Sequence, residues 1–95
     1  MKSVTVEELK NLVETSKELK LVDIRENYEF EDGHIENSEN IPMDDLAQNP
    51  DLIRENSILI CQSGRRAESL CFILDRNHSR SDVKFLAGGI VAYNE

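Results

Sequence analysis

The segment Ser57-Ile58-Leu59-Ile60-Cys61 constrains this chain more than any other. Its apolar residues run without alternation, a pattern expected of a strand covered on both faces. It passes through Gln62-Ser63-Gly64-Arg65 into a stretch where Ala67, Leu70, Cys71 and Leu74 recur at i, i+3, i+4 and i+7. That spacing predicts an amphipathic helix ending near Asn77. A covered strand feeding straight into a helix is the unit of an α/β fold, with a mainly parallel sheet and helices on both faces.

The rest of the chain reads the same way. Thr5-Val6-Glu7-Glu8 has the form of a capping box, with Leu9, Leu12 and Val13 following at helical spacing, so a helix is expected from Thr5 to Thr15. Leu19 to Ile24 reads as a buried strand, and Asn27 to Gly33 as one or two helical turns. Ile41-Pro42 is a short strand or turn, because proline keeps the residue before it extended. Met43 to Ala47 is a weak helix, and Pro50 to Arg54 another turn of helix with Asn49 as its cap. Val83 to Leu86 is a last strand, Gly88-Gly89 breaks it, and Ile90 to Glu95 starts a helix that stops short. At 10.9 kDa, without linker or repeat, residues 1–95 are expected to form a single domain around one core.

Composition excludes several functions. Nineteen acidic residues against 11 basic ones give a net charge of -8, which disfavours nucleic acid and anionic membrane as partners. Apolar runs such as Ile58 to Cys61 are far short of the ~20 residues a membrane helix needs. The first residues turn acidic at once, unlike a signal peptide, and two cysteines make no disulfide framework, so a reducing, cytoplasmic setting is expected. Cys61, Cys71, His34 and His78 lack zinc-site spacing, and no metal or organic cofactor is expected.

Ligand sites in parallel sheets lie at the carboxyl ends of the strands, which directs attention to Cys61-Gln62-Ser63-Gly64-Arg65-Arg66. The plain reading is a buried cysteine, a turn glycine and a solvated helix start. Two arginines in a first helical turn, however, oppose the positive end of the helix dipole. Anion binding accounts for them: a loop entering a helix directs free backbone N–H groups at one point, and Gly64 lets it curl tightly. Those donors and Arg65 and Arg66 would favour a thiolate and make Cys61 a nucleophile. The same cradle could hold an anionic substrate or a terminal sulfur on the cysteine.

Here the chain resembles the rhodanese-like sulfurtransferase domains. The matching pieces are Leu21-Val22-Asp23-Ile24-Arg25-Glu26, Tyr28-Glu29-Phe30, Gly33-His34-Ile35, Asn40-Ile41-Pro42, Cys61 to Ala67, and Leu86-Ala87-Gly88-Gly89-Ile90, in the family's order and spacing. The resemblance implies a five-stranded parallel sheet flanked by helices. It also implies sulfur transfer from a donor such as thiosulfate or polysulfide, through a persulfide on Cys61, to cyanide, a thiol or a protein cysteine. Gln62, Ser63, Gly64, Arg65 and Arg66 match the loop that cradles the persulfide and attracts anionic donors. Asp23 and Arg25 match an Asp-x-Arg pair, expected to be a structural ion pair near the site. His34 falls in a structural motif of the family, with a general-base role as its alternative. The chain departs from the family at Asn37-Ser38, where a small pair is common, and at Tyr93, where a Trp is usual; it stops two residues later, so the last helix is expected to be short.

Two rivals remain open at the level of sequence. A cysteine phosphatase or arsenate reductase needs five residues between Cys and Arg, and here four separate Cys61 from Arg66. A docking or sulfur-relay module would work through a protein partner instead of a free small donor. Cys71, on the apolar helix face, is expected to be structural and not a resolving thiol. His78 is expected in a solvated loop, and the acidic run Glu26 to Asp32 on a solvent face that could also meet a partner. Because cellular salt screens charge over about 8 Å, two arginines can make the loop locally positive despite the overall charge. Long-range steering of small anions would still be poor.

Overall fold

In the parallel sheet, the strand ends that matter for chemistry all lie along one edge. The structure, a computed structural model, describes residues 2–15 and 19–95. Its strands are β1 (Ser3–Val4), β2 (Lys20–Asp23), β3 (Ser38–Asn40), β4 (Ser57–Ile60) and β5 (Lys84–Leu86). Its helices are α1 (Val6–Thr15), α2 (Asn27–Glu31), α3 (Met43–Gln48), α4 (Arg65–His78) and α5 (Gly89–Tyr93), with a 3-10 turn at Pro50–Leu52. The strands form one sheet in the order β1-β5-β4-β2-β3, every pair parallel.

The unbroken apolar run of β4 is explained by its central position. Leu59 faces one way, packing in a cluster with Val22, Phe85, Leu46 of α3, and Leu70 and Leu74 of α4. Ile58 and Ile60 face the other way, with Leu21, Leu86, Leu9 of α1 and Ile90 of α5. Each such side chain contributes about 1.5–3 kcal/mol on burial. The two clusters therefore hold the sheet between helices on both faces, as expected.

Thr5 caps α1 as its sequence predicts: the Glu8 N–H donates to Thr5 Oγ1 and the Thr5 N–H to Glu8 Oε1, each at 3.1 Å. Four details differ from expectation. β1 has too few residues to show a period; it exists because it pairs with β5, Ser3 beside Phe85 and Val4 beside Leu86. β3 ends one residue before Ile41-Pro42, and Pro42 becomes the N-cap of α3. Asn49 flanks the 3-10 turn without a side-chain capping bond. His78 is the last residue of α4, not part of a loop, where a basic side chain suits the negative helix end.

Candidate active site

Cys61 immediately follows β4 and has no exposed surface. Its sulfur accepts two backbone hydrogen bonds, from the Gly64 N–H at 3.1 Å and the Ala67 N–H at 3.4 Å. The loop that permits this turns at Gly64, whose φ of +92° favours glycine. A Cβ there would also stand 2.9 Å from the Gly88 nitrogen and 3.2 Å from the Leu86 carbonyl oxygen. Gln62 and Ser63 form the exposed crest of the loop.

The loop is held from beneath by a segment whose role the sequence reading missed. Gly88-Gly89 was expected only to break a strand. The glycines instead bring the start of α5 against the loop, so that the Ile90 N–H donates to the Cys61 carbonyl at 3.0 Å and the Val91 N–H to the Gln62 carbonyl at 3.1 Å. A Cβ on Gly89 would lie 2.3 Å from the Cys61 carbonyl oxygen. The available signal was a glycine pair placed directly after a strand, at the edge where ligands bind.

Asp23 and Arg25 are both buried and form the expected ion pair, Nη2 to Oδ2 at 2.9 Å. The pair extends further than expected. Arg25 Nη2 donates to the Gly33 carbonyl at 2.6 Å, and Nη1 to Gln62 Oε1 at 3.3 Å. The Asn40 side-chain amide donates to the carbonyls of Asp23 and Arg25, each at 3.0 Å. The end of β2, the Gly33 bend and the cysteine loop are thereby tied together by one guanidinium.

The two loop arginines differ. Arg65 is exposed and has no salt-bridge partner among the described residues. Arg66 presents Nη1 and Nη2 to Glu29 Oε1 and Oε2, both at 3.4 Å. Burial opposes ionisation of Glu29, but the Glu26 N–H and Arg66 outweigh it and hold the carboxyl below its ordinary range. Arg66 is likewise pulled down by burial and raised above its ordinary value by Glu29 and by its closeness to Cys61. The acidic stretch is thus only partly a solvent face: Glu26, Glu31 and Asp32 are exposed, while Glu29 turns inward.

His34 stacks on Phe30, ring centroids 3.7 Å apart, and its Nδ1 pairs with the Phe30 carbonyl at 2.8 Å. A carbonyl only accepts, so Nδ1 carries the proton and the ring staples the end of α2, in line with the structural role. Cys71 is buried against the Val83 carbonyl, and desolvation pushes its thiol up to about 12 despite Lys2. Both cysteines are free. The loop stands between two openings: a polar cleft of about 330 Å³ lined by Arg25, Glu29, His34 and Gln62, and a shallow one of about 670 Å³ lined by Lys2, Ser63, Arg65, Phe72 and Phe85. Among the described residues, no group of His, Cys, Asp and Glu could hold a metal ion, and no helix is long and apolar enough to cross a membrane.

Residues 5–95 match the family described as "Rhodanese-like domain". The chain belongs to this family. A rhodanese-like domain protein from Staphylococcus aureus has the same fold, with a TM-score of 0.84 at 34% identity, over 98% of this chain and 91% of that one. In Bacillus subtilis, "Putative sulfurtransferase YtwF" is 28% identical over 98% of this chain and 90% of its own length. "Putative sulfur carrier protein YrkF" is 33% identical over 90% of this chain, which spans only 47% of that protein. The rhodanese-like chain thus has relatives named for sulfur transfer and for sulfur carriage.

Proposed function

We propose that this rhodanese-like protein is a sulfurtransferase that carries sulfane sulfur on Cys61. The observation that carries the reading is the sulfur itself: Cys61 Sγ sits at the carboxyl end of the central strand and accepts N–H donors from Gly64 and Ala67. Backbone dipoles so aimed stabilise negative charge on sulfur, and they are in place before any donor arrives. The name of YtwF supports the reaction class.

In the first half-reaction the Cys61 thiolate attacks the outer sulfur of the donor. A new S–S bond forms on Cys61, the donor's S–S bond breaks, and its electron pair leaves with the departing group, which is sulfite when the donor is thiosulfate. In the second, an acceptor such as cyanide, a thiol or a protein cysteine attacks the terminal sulfur, and the electron pair returns to Cys61. No net electron is gained or lost. Arg65 stands exposed beside the loop to attract an anionic donor or leaving group. The name of YrkF supports acceptance or donation by a protein partner.

Cys61 has no exposed surface, so a donor reaches the sulfur only after the residues that cover it shift. Intact mass after incubation with thiosulfate, polysulfide or a low-molecular-weight persulfide tests the proposal. One added sulfur atom, removed by cyanide and absent in Cys61→Ser, is the expected result. No adduct from any of these donors would overturn it.

A further inference from the structure

The site is poor in available positive charge, although three arginines surround it. Arg25 is buried and spends its guanidinium on Asp23, the Gly33 carbonyl and Gln62. Arg66 is engaged by Glu29 through both terminal nitrogens. Only Arg65 is left without a carboxylate partner among the described residues. Glu29 is also fixed in place, because its Oε1 accepts the Glu26 N–H at 3.1 Å in the capping box of α2, so it does not swing away freely. It lines the cleft beside Gln62, and the exposed Asp32 lines the same cleft.

We infer that Glu29 is a specificity-determining residue: by holding the guanidinium of Arg66, its carboxylate disfavours small dianionic sulfur donors and leaves donors of low net charge as the preferred class. This rests on the proposed sulfur transfer and names its substrate class. A dianion approaching Cys61 meets a fixed carboxylate and must compete with it for Arg66. A donor whose own charges cancel meets little repulsion and needs no guanidinium. The contact is a threshold and not a block, because its 3.4 Å separations are long for a charged pair and the Arg66 side chain is 40% exposed.

The test measures the first half-reaction alone, by intact mass against time and donor concentration, in wild type, Glu29→Gln and Glu29→Asp. The donors are thiosulfate and cysteamine persulfide, whose ammonium offsets the charge on its sulfur. Glutamine keeps an oxygen for the Glu26 N–H, so α2 retains its cap. Glu29→Gln is expected to lower the half-saturating thiosulfate concentration by about fivefold, the scale of one partly exposed ion pair, with the limiting rate little changed. Both constants for cysteamine persulfide stay as in wild type, and Glu29→Asp, which keeps the charge but is one methylene too short to hold Arg66 as closely, falls between wild type and Glu29→Gln with thiosulfate. Equal changes with the two donors, or a weaker response to thiosulfate, would overturn the inference and leave Glu29 a brace between α2 and α4. If wild type takes sulfur from cysteamine persulfide only, Glu29→Gln must gain thiosulfate or the inference fails. If it takes sulfur from neither, the sulfurtransferase reading falls first, and this one with it.

Discussion

At the scale of single residues, Gly89 controls the site more strongly than its chemistry suggests. A methyl group at this position would strike the Cys61 carbonyl oxygen at 2.3 Å and the Gln62 carbonyl oxygen at 2.6 Å, both backbone atoms that cannot rotate away. Its φ of +59° adds the ordinary left-handed penalty. Gly89→Ala is therefore expected to cost about 2–4 kcal/mol in denaturant unfolding and to abolish sulfur loading at Cys61. A variant that melts and loads like wild type would mean that α5 does not brace the loop. Cys71 behaves oppositely. Its thiol is buried in the apolar core, pushed up to about 12 by desolvation, and pairs with the Val83 carbonyl. Cys71→Ala should lower stability by about 1 kcal/mol through the small void it leaves, with sulfur transfer intact. In native protein, mass mapping should find Cys71 unalkylated by iodoacetamide until denaturant is added. Rapid native labelling would show that α4 opens.

At the scale of elements, the Asp23–Arg25 pair links β2, the Gly33 bend and the cysteine loop. Arg25→Met strands a fully buried carboxylate, and removing one partner of such a pair costs about 3–5 kcal/mol. The double replacement Asp23→Leu/Arg25→Met should cost less than Arg25→Met alone in denaturant melts, because no orphan charge remains. If the double variant is the less stable, the pair contributes more than its own compensation. The sequence displayed the pair as Asp-x-Arg at a strand end, but its reach to Gln62 depends on the fold bringing residues 25 and 62 together. The same limit explains the other differences. β4 and α4 were legible because apolar period and burial agree over many residues. β1, with two residues, carries no period and is created by its partner β5. Within the site, Cys61, Gly64 and the arginines stand contiguous in the chain and were legible together. Gly89 and Glu29 reach the loop from other segments: a glycine pair after a strand signals a close approach without saying what it approaches, and nothing local marks one glutamate among several as the partner of Arg66.

At the scale of the whole molecule, two opposing effects of charge set the response to pH. The net charge of -8 makes the folded chain repel itself at pH 7. Lowering pH towards the isoelectric point near 4.7 relieves that repulsion and should raise the melting temperature. Specific carboxylates act the other way. Glu8 is held below 4.5 by the Thr5 backbone and hydroxyl, Glu29 by the Glu26 N–H and Arg66 in spite of burial, and Asp82 below 3.8 mainly by Arg80. A carboxyl depressed in the folded state stabilises above its unfolded value, and that contribution is lost as pH falls through the folded value. The contributions of Glu8 and Glu29 are full above about pH 4.5 and that of Asp82 above about pH 3.8, and each is lost as pH falls further, through its folded value. On the alkaline side Cys71 is raised from 9.0 to about 12, so its protonated burial helps fully below 9.0 and is lost as pH rises towards 12. Thermal melts should show a maximum near pH 5, a shallow decline to pH 8 and a steep fall below pH 4. Added sodium chloride should raise the melting temperature at pH 7 more than at pH 5, since only at pH 7 is there much repulsion left to screen. A melting temperature unchanged between pH 7 and 5 and indifferent to salt would mean that the acidic groups lie too far apart to repel. The proposed discrimination against small dianions would then rest on Glu29 and not on the charge of the molecule.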